Sequence, residues 1–530
     1  MPPRTATKKT AAKKVATKNP SPPPTARLIP PKDGATVRMY RTGHGDCFLL
    51  AFRGKKVSTP VYVLIDCGYK PGSPDFINTK IKEITANIRA ATGGHIDIAV
   101  ITHEHQDHVN GITEANYTGI TIGKTWLAWT EDPSDDLAND LRKKFKDKLL
   151  GLLAARNRLA AAGDDKAVEK IDSFLAFELG GDDTVSFNAA TAEGLLKAAG
   201  ESMNKKSMKV FKDLSKDVKY LRPHEKILTV PGTKDVRVFA LGPPRDPELI
   251  ADLNPTEDEG FHPLTLGAAS AGNYFAVAAA GEGVQPPFAK RFCITQPEAM
   301  TDSMYGGYFT QVYGDDTTPP SIALGIPQPG PNEVEGNAVW RRIDKDWLHS
   351  ADQLALAMNS QTNNASLVLA FELGKRGKVL LFAADAQRGN WVSWSKKDWT
   401  DGNKKVTAKD LLSRTVLYKV GHHGSHNATL NGKAQDAHAN LSWMAEGDYA
   451  GEFTAMITAV RAWAETQNGW DHPLKAIKDA LLKKACGRVF QTDTSLTDME
   501  KFKNSPAADW TAFKSRARED RIYFDYDITE

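Results

Sequence analysis

Cysteine is scarce in this chain: four in 530 residues, at Cys47, Cys67, Cys293 and Cys486. None pair at CxxC spacing, and four dispersed thiols make no disulfide framework, so a zinc ribbon and a small secreted scaffold are both excluded. A reducing cytoplasm is the compartment expected. Long apolar runs are also missing. No stretch reaches eighteen apolar residues, so no transmembrane helix and no membrane partner are expected. The lysines near the start lack an apolar segment behind them, which argues against a secretory signal. Acid is absent from residues 1–32, which carry eight Lys or Arg. Without those eight, the 68 basic residues fall to 60 against 65 acidic ones, a net of −5, so the body is mildly acidic.

That leader, rich in Lys, Ala, Thr and Pro, cannot bury enough apolar surface to offset the entropy of ordering, and a disordered basic tail is expected over 1–34. Lys8, Lys9, Lys13, Lys14 and Lys18 make it either a nucleic-acid tether or a solubilising leader. From Ala35 onward, strand, loop and helix alternate. ATVRMYRTGHGDCFLLAF reads as two strands about a Gly-rich turn, VYVLIDCG as a third, residues 77–92 as a helix, and HIDIAVITH as a buried strand. This pattern predicts an α/β layered fold. Residues 131–229 look like a charged helical insertion, 230–246 contain one more core strand, and 247–362, rich in Gly, Pro and Ala, look like a second insertion. Strand pairs return over 363–530, in ASLVLAFELGKRGKVLLFAADA and TVLYKVGHHGSH. No internal repeat is evident. An oligomeric state cannot be read from the sequence.

Histidine is also uncommon, at 13 residues, yet three fall in THEHQDHVNG (102–111), directly after an apolar strand. His103 and His105 alternate and can reach one ion, while Asp107 and His108, further round the loop, can reach a second. Imidazole and carboxylate without thiolate suit Zn, Mn or Fe better than a purely structural zinc site. The competing explanation is a solvated His-rich turn. One loop cannot complete two coordination spheres. Asp385 closes another apolar strand, where an ionised carboxylate is costly unless paired or bound to metal, although an N-cap role is open to it. KVGHHGSH adds His422, His423 and His426 beyond a further strand.

In chain order, GHGDCFLL (43–50), LIDCG (64–68), THEHQDHVNG, NNASLVL (363–369), LLFAADA and KVGHHGSH resemble the metallo-β-lactamase-fold hydrolases. Among these they are most similar to the soluble hydrolase domain of the ComEC DNA-uptake family, as is DHPLKAIKDALLKKACGRVFQTD (471–493). Somewhat under half of the chain carries the resemblance. It implies an αββα sandwich, whose first half is 35–130 and second half 363–530, with two divalent metal ions (Zn or Mn) at one edge. His103 and His105 would hold the first ion, Asp107 and His108 the second, Asp385 would bridge, and His423 or else His422 would be the last ligand. Asp66 would orient the histidine loop. One departure stands out. Many members of the fold supply a further histidine after the strand matching VRVFALGPP, where this chain has Pro243, Pro244, Arg245 and Asp246. Asp246, His262 or His349 are the candidates to replace it, and His224 reads as structural.

The implied activity is that of a metal-dependent hydrolase in which bound metal lowers the pKa of water to about 7. Asp107 could steer the nucleophile. Lys419 could offset charge on a phosphoryl oxygen or be a solvated strand residue, and His426 could assist the leaving group. A phosphodiesterase or nuclease acting on DNA or RNA is the leading expectation. A small-molecule hydrolase acting on a lactone, thioester or cyclic nucleotide is the alternative, and a regulatory protein with a vestigial metal site is the third. The tryptophans of WVSWSKKDW (391–399) either stack on bases or belong to packing.

Overall fold

A computed structural model describes residues 27–56, 59–74, 81–161, 165–179, 202–256, 258–261, 350–467 and 470–529, with a few positions between 301 and 307. The tail lysines Lys8 to Lys18, along with His262, His349 and most of the second insertion, lie outside the described residues.

Two large mixed sheets account for nearly all of the strands. Six come first: β1 (Gly34–Tyr40), β2 (Phe48–Phe52), β3 (Val61–Ile65), β4 (His95–Val100), β5 (Thr121–Ala128) and β6 (Val218–Leu221). The second sheet uses β7 (Leu228–Thr229), β8 (Val236–Gly242), β9 (Val368–Leu373), β10 (Val379–Phe382), β13 (Thr415–Lys419), β14 (Thr454–Ile457) and β15 (Val489–Gln491). A small hairpin, β11 (Asp398–Asp401) with β12 (Lys404–Thr407), stands apart. The chain then returns to the first sheet with β16 (Ala517–Glu519) and β17 (Tyr523–Thr529), giving the order β16-β17-β1-β2-β3-β4-β5-β6. The second sheet runs β15-β14-β13-β10-β9-β8-β7.

Both sheets follow one plan. β1, β2 and β3 pair antiparallel, and β3 through β6 pair parallel. Likewise β7 through β10 are antiparallel, and β10, β13, β14 and β15 are parallel. This common plan has no counterpart in side-chain identity, which is why no repeat is visible in the sequence.

Period-2 alternation decides what each face meets. Phe48, Leu50 and Phe52 of β2 and Leu369, Phe371 and Leu373 of β9 enter one shared core, so the sheets pack face to face. The alternate residues Leu49 and Ala51 point to the outer face, against Ile84 and Ile88 of the helix Ile81–Thr92 and Phe211 of the helix Met203–Leu214. On the far side, Val368 and Ala370 meet Trp391 and Trp394 of the helix Arg388–Trp394 and Ile477 of the helix Lys475–Lys484. Strands covered on both sides read as continuous apolar runs, as VYVLI does. The architecture is therefore mixed α/β, with helices outside two facing sheets.

One expectation needs correction here. β6 lies inside 131–229, expected to be a helical insertion, yet it extends the first sheet parallel to β5. The helices Asp136–Ala161 and Asp165–Leu179 do form a separate unit, with a small core of their own shared with Ala355 and Met358 of the helix Ser350–Asn364. The tryptophans Trp391, Trp394 and Trp399 are 0%, 0% and 4% exposed, so they are core residues and offer no face to a base. Among the described residues, no helix is long and apolar enough to cross a membrane.

Candidate metal centre

The carboxyl ends of β3 and β4 in one sheet converge with those of β10, β13 and β14 in the other. Open α/β sheets commonly place their ligands at such strand ends. His103 to His108 follow β4, with Gln106–Val109 forming a single helical turn. Asp385 follows β10, and His422 and His423 follow β13. One donor atom each from Asp107, His108, Asp385 and His423 lies within 4.8 Å of all the others, and all four residues are buried. His423 Nε2 is 3.0 Å from Asp107 Oδ2 and 3.6 Å from Asp385 Oδ2. His422 Nε2 is 4.0 Å from Asp385 Oδ2 and meets the side chain of Asn363 at 3.2 Å. The last place in the cluster therefore falls to His423.

His103 and His105 sit beside this group. His103 Nε2 is 3.1 Å from His105 Nδ1 and 4.0 Å from Asp385 Oδ2. On its other edge, His103 Nδ1 contacts Thr102 Oγ1 at 3.1 Å and Ser366 Oγ at 3.2 Å, which fixes the ring. Asp66 accepts from the Thr102 backbone N–H (2.8 Å) and hydroxyl (2.6 Å), and meets His108 Nδ1 at 2.8 Å. It thus holds the histidine loop, as the resemblance implies, and leaves His108 Nε2 toward the cluster.

The backbone at the site is tightly folded. Asp66, Ala384, His422 and His423 all have left-handed φ, between 41° and 54°, which non-glycine residues adopt only where surrounding structure enforces it. Gly68 explains the LIDCG motif. A Cβ there would lie 2.4 Å from Asp107 C and His108 N, so the loop bearing the ligands rests on a position only glycine can fill.

Electrostatics follow from burying so many charges together. Burial alone would lift the Asp107 and Asp385 carboxyls, but His108 and His423 hold both well below the usual range. His108 is pushed down by burial and, more strongly, up by Asp385, Asp46 and Asp107, ending well above ordinary histidine. Burial, then His108 and His105, keep His103 far below it. Burial sets His422 at about 4. Among the described residues, two atoms of the four-residue cluster find no conventional partner. Asp107 Oδ1 makes no hydrogen bond, and His108 Nε2 lies 3.2 Å from Asp385 Oδ2 without bonding to it. Unpaired buried carboxylate and imidazole atoms facing one another are what a divalent cation would satisfy.

Lys419 is neither solvated nor open to a substrate. Its Nζ is buried, 2.5 Å from Asp46 Oδ2, 3.4 Å from Asp385 Oδ1 and 2.9 Å from the Ala384 carbonyl. It serves as the counter-ion that seats Asp385. His426 is exposed, and its ring meets Asn254 at 3.4 Å, so it does not join the cluster. The turn after β8 supplies no donor either: Asp246 caps the helix Pro247–Ala251, and Arg245 pairs with Asp135 at 2.7 Å. His224 is exposed and packs near Trp399, away from the cluster.

Two acids escaped the sequence reading. Asp46, from GHGDC, holds Lys419 and accepts from Thr458 Oγ1 at 2.5 Å. Its place in a Gly-flanked turn next to two strands was the available signal. Glu178 meets His105 Nε2 at 2.9 Å and comes from the helical insertion, where one acid among many carries no distinguishing mark. The insertion also roofs a cavity of about 290 Å³ that reaches His103 and Glu178 and is lined by Phe145, Lys144, Lys148 and Lys205 among others. Glu104 borders it, with its carboxyl pushed up to about 7 by burial. Neither protein-family models nor curated proteins yield a match to the chain.

Proposed function

We propose that this chain is a metal-dependent hydrolase of the metallo-β-lactamase fold, acting on phosphodiesters. The observation that carries the reading is the buried set Asp107, His108, Asp385 and His423, with His103 and His105 alongside, gathered from strand ends of both sheets. Two facing sheets with helices outside agree with the sandwich that the motifs imply.

The donors fit the group. Four imidazoles and two carboxylates without thiolate suit Zn or Mn. His103 and His105 would hold one ion, Asp107, His108 and His423 a second, and Asp385 would lie between them. When bound, such a pair supplies Lewis acidity and makes water acidic enough to ionise near neutral pH. The chain's own residues do the rest. Asp66 sets the His108 tautomer, Thr102 and Ser366 fix His103, and Lys419 with Asp46 aims Asp385. Lys144, Lys148 and Lys205 line the cavity with positive charge, which suits a phosphate-bearing substrate.

The enclosure narrows the choice of substrate. His103, the most open of the six donors, is only 4% exposed. A duplex cannot reach donors so covered, so a single-stranded end or a cyclic nucleotide fits better. The apolar part of the wall, which includes Phe145, Leu149 and Ile250, favours a lactone or thioester as the second reading. Incubation with single- and double-stranded DNA, RNA, a cyclic dinucleotide, bis-p-nitrophenyl phosphate and a lactone panel, with added Zn or Mn, tests this directly. Phosphodiester turnover that disappears in His103→Ala and Asp385→Ala, along with their bound metal, is the expected result. Lactone turnover without phosphodiester cleavage would overturn the phosphodiesterase reading, and unchanged metal content in both variants would overturn the centre.

A further inference from the structure

The helical insertion reaches into the centre at one point. Phe177 and Glu178 end the helix Asp165–Leu179, and both grip His105. The Phe177 ring lies 4.8 Å from the imidazole, and Glu178 Oε1 lies 2.9 Å from Nε2. Asn204, from the helix Met203–Leu214, donates its amide to the carbonyls of Phe177 (3.2 Å) and Glu178 (3.1 Å), pinning this helix end in place. Glu178 is itself 4% exposed, and its Oε2 makes no hydrogen bond among the described residues.

A carboxylate in that position dictates where the His105 proton sits. Nε2 carries the hydrogen that Glu178 accepts, so Nδ1 is the nitrogen left to meet an ion. It faces His103 Nε2 at 3.1 Å, and the Nδ1 edge of His103 is already turned to the hydroxyls of Thr102 and Ser366. The facing pair is close enough to share a proton, and a cation bound there takes that proton's place. The two nitrogens of one imidazole point in divergent directions, so Glu178 at Nε2 cannot share an ion held at Nδ1.

We infer that Glu178 is a positioning residue for the first half of the metal centre, holding His105 with Nδ1 free and turned toward His103. This rests on the metal-centre reading above and adds to it a partner from outside the motif-bearing segments. The turn after β8 brings no imidazole to this side, since Asp246 caps a helix and Arg245 pairs with Asp135. Instead, the insertion contributes from behind His105, so that the same unit that roofs the cavity tunes the metal beneath it. Carboxylates behind a ligating histidine raise its basicity and fix its aim, and their loss typically weakens metal binding 10–100-fold.

The experiment compares full-length wild type, Glu178→Gln, Glu178→Leu and His105→Gln. Each is stripped of metal, melted to verify folding, then titrated with Zn against a chromophoric chelator, with bound metal counted by mass spectrometry. Wild type is expected to take two equivalents and His105→Gln one. Glu178→Leu should bind its first-site equivalent about 10–100-fold more weakly with the other unchanged. Glu178→Gln, which keeps a neutral oxygen acceptor, should fall between, and it carries the test if the leucine variant fails to fold. Two equivalents bound as tightly as in wild type by a folded Glu178 variant, or equal weakening of both, would overturn the assignment. A folded wild type that binds no metal would instead overturn the metal centre itself, and this inference with it.

Discussion

Replacing Lys419 by Met removes the ammonium that faces Asp46 and Asp385 in the buried cluster. Its ammonium stands 2.5 Å from Asp46 and 3.4 Å from Asp385, with all three side chains at most 3% exposed. At an effective dielectric of 20, the pair with Asp385 alone is worth about 5 kcal/mol of gross attraction. Desolvating the ammonium offsets part of that, yet deleting one partner strands the other charges, and such deletions cost about 3–5 kcal/mol. Methionine keeps the length of the side chain, so packing changes little. Metal-free Lys419→Met should therefore lose about 3–5 kcal/mol in urea unfolding followed by tryptophan fluorescence. Metal should then reverse part of the loss. An ammonium 3.4 Å from Asp385 opposes any cation bound by that carboxylate, so the variant should bind Zn about tenfold more tightly, and at saturation recover about 1.4 kcal/mol relative to wild type. A metal-free loss below about 1 kcal/mol, or weaker Zn binding than wild type, would refute the assignment of Lys419 as the counter-ion of Asp385.

Three further outcomes follow from features described above. Trp391→Ala should cost about 3–5 kcal/mol of stability, as for any large buried aromatic, while leaving single-stranded DNA affinity unchanged in a gel-shift assay; lost affinity at full stability would restore a stacking role. Gly68→Ala drives a methyl into the backbone of Asp107 and His108, and should weaken Zn binding at least about tenfold by chelator competition; an unaffected affinity would mean that the loop has another rest position. Lys397 is 4% exposed, and burial lowers its ammonium to about 8. Below pH 8 the folded and unfolded chains both hold the proton and the penalty is complete. Between about 8 and 10.5 only the unfolded chain keeps it, so stability attributable to this residue rises with pH. Lys397→Met should therefore be more stable than wild type by about 3 kcal/mol at pH 7, with the gap closing by pH 10.5; a gap that stays constant with pH would show that the lysine is not buried charged.

The residues of the proposed metal centre were legible because each lies within a few residues of a strongly apolar strand, and rare side chains cluster there. His103 to His108, Asp385 and the HHGSH turn are of this kind. What the sequence concealed were contacts made by common residues across long separations. Glu178 is one acid among many on a charged helix, and nothing local marks it as the partner of a histidine 73 residues earlier. Lys419 looked like an ordinary strand terminus because the sequence could not show Asp46 closing over it. The tryptophans left two readings open, and burial decides for packing. Trp391 and Trp394 are three apart, a helical spacing that puts both rings on one face, and the neighbouring lysines suggested exposure that the helix Arg388–Trp394 does not have. His426 shows the limit of proximity in sequence: three residues beyond His423, it already faces Asn254 and not the cluster. The fold class itself followed from the alternation of elements, and β6 was missed because VKYL, three half-buried residues and one buried, leaves little periodicity to detect.

The closing pair of the first sheet bears on how the chain is made. Thr36 of β1 hydrogen-bonds Asp527 of β17 across 491 residues, and His423 reaches Asp107 across 316. Contacts this distant in sequence form late and slowly. During synthesis Thr36 is made 491 residues before its partner Asp527, and the edge of β1 that faces β17 stays unpaired over that interval. An open strand edge is a template for mispairing with other chains. The centre, too, has no assembled form until both sheets exist and have docked. A chain arrested halfway holds only His103 to His108, half of the proposed site, so if the centre binds metal as proposed, metal retention would report on completed folding.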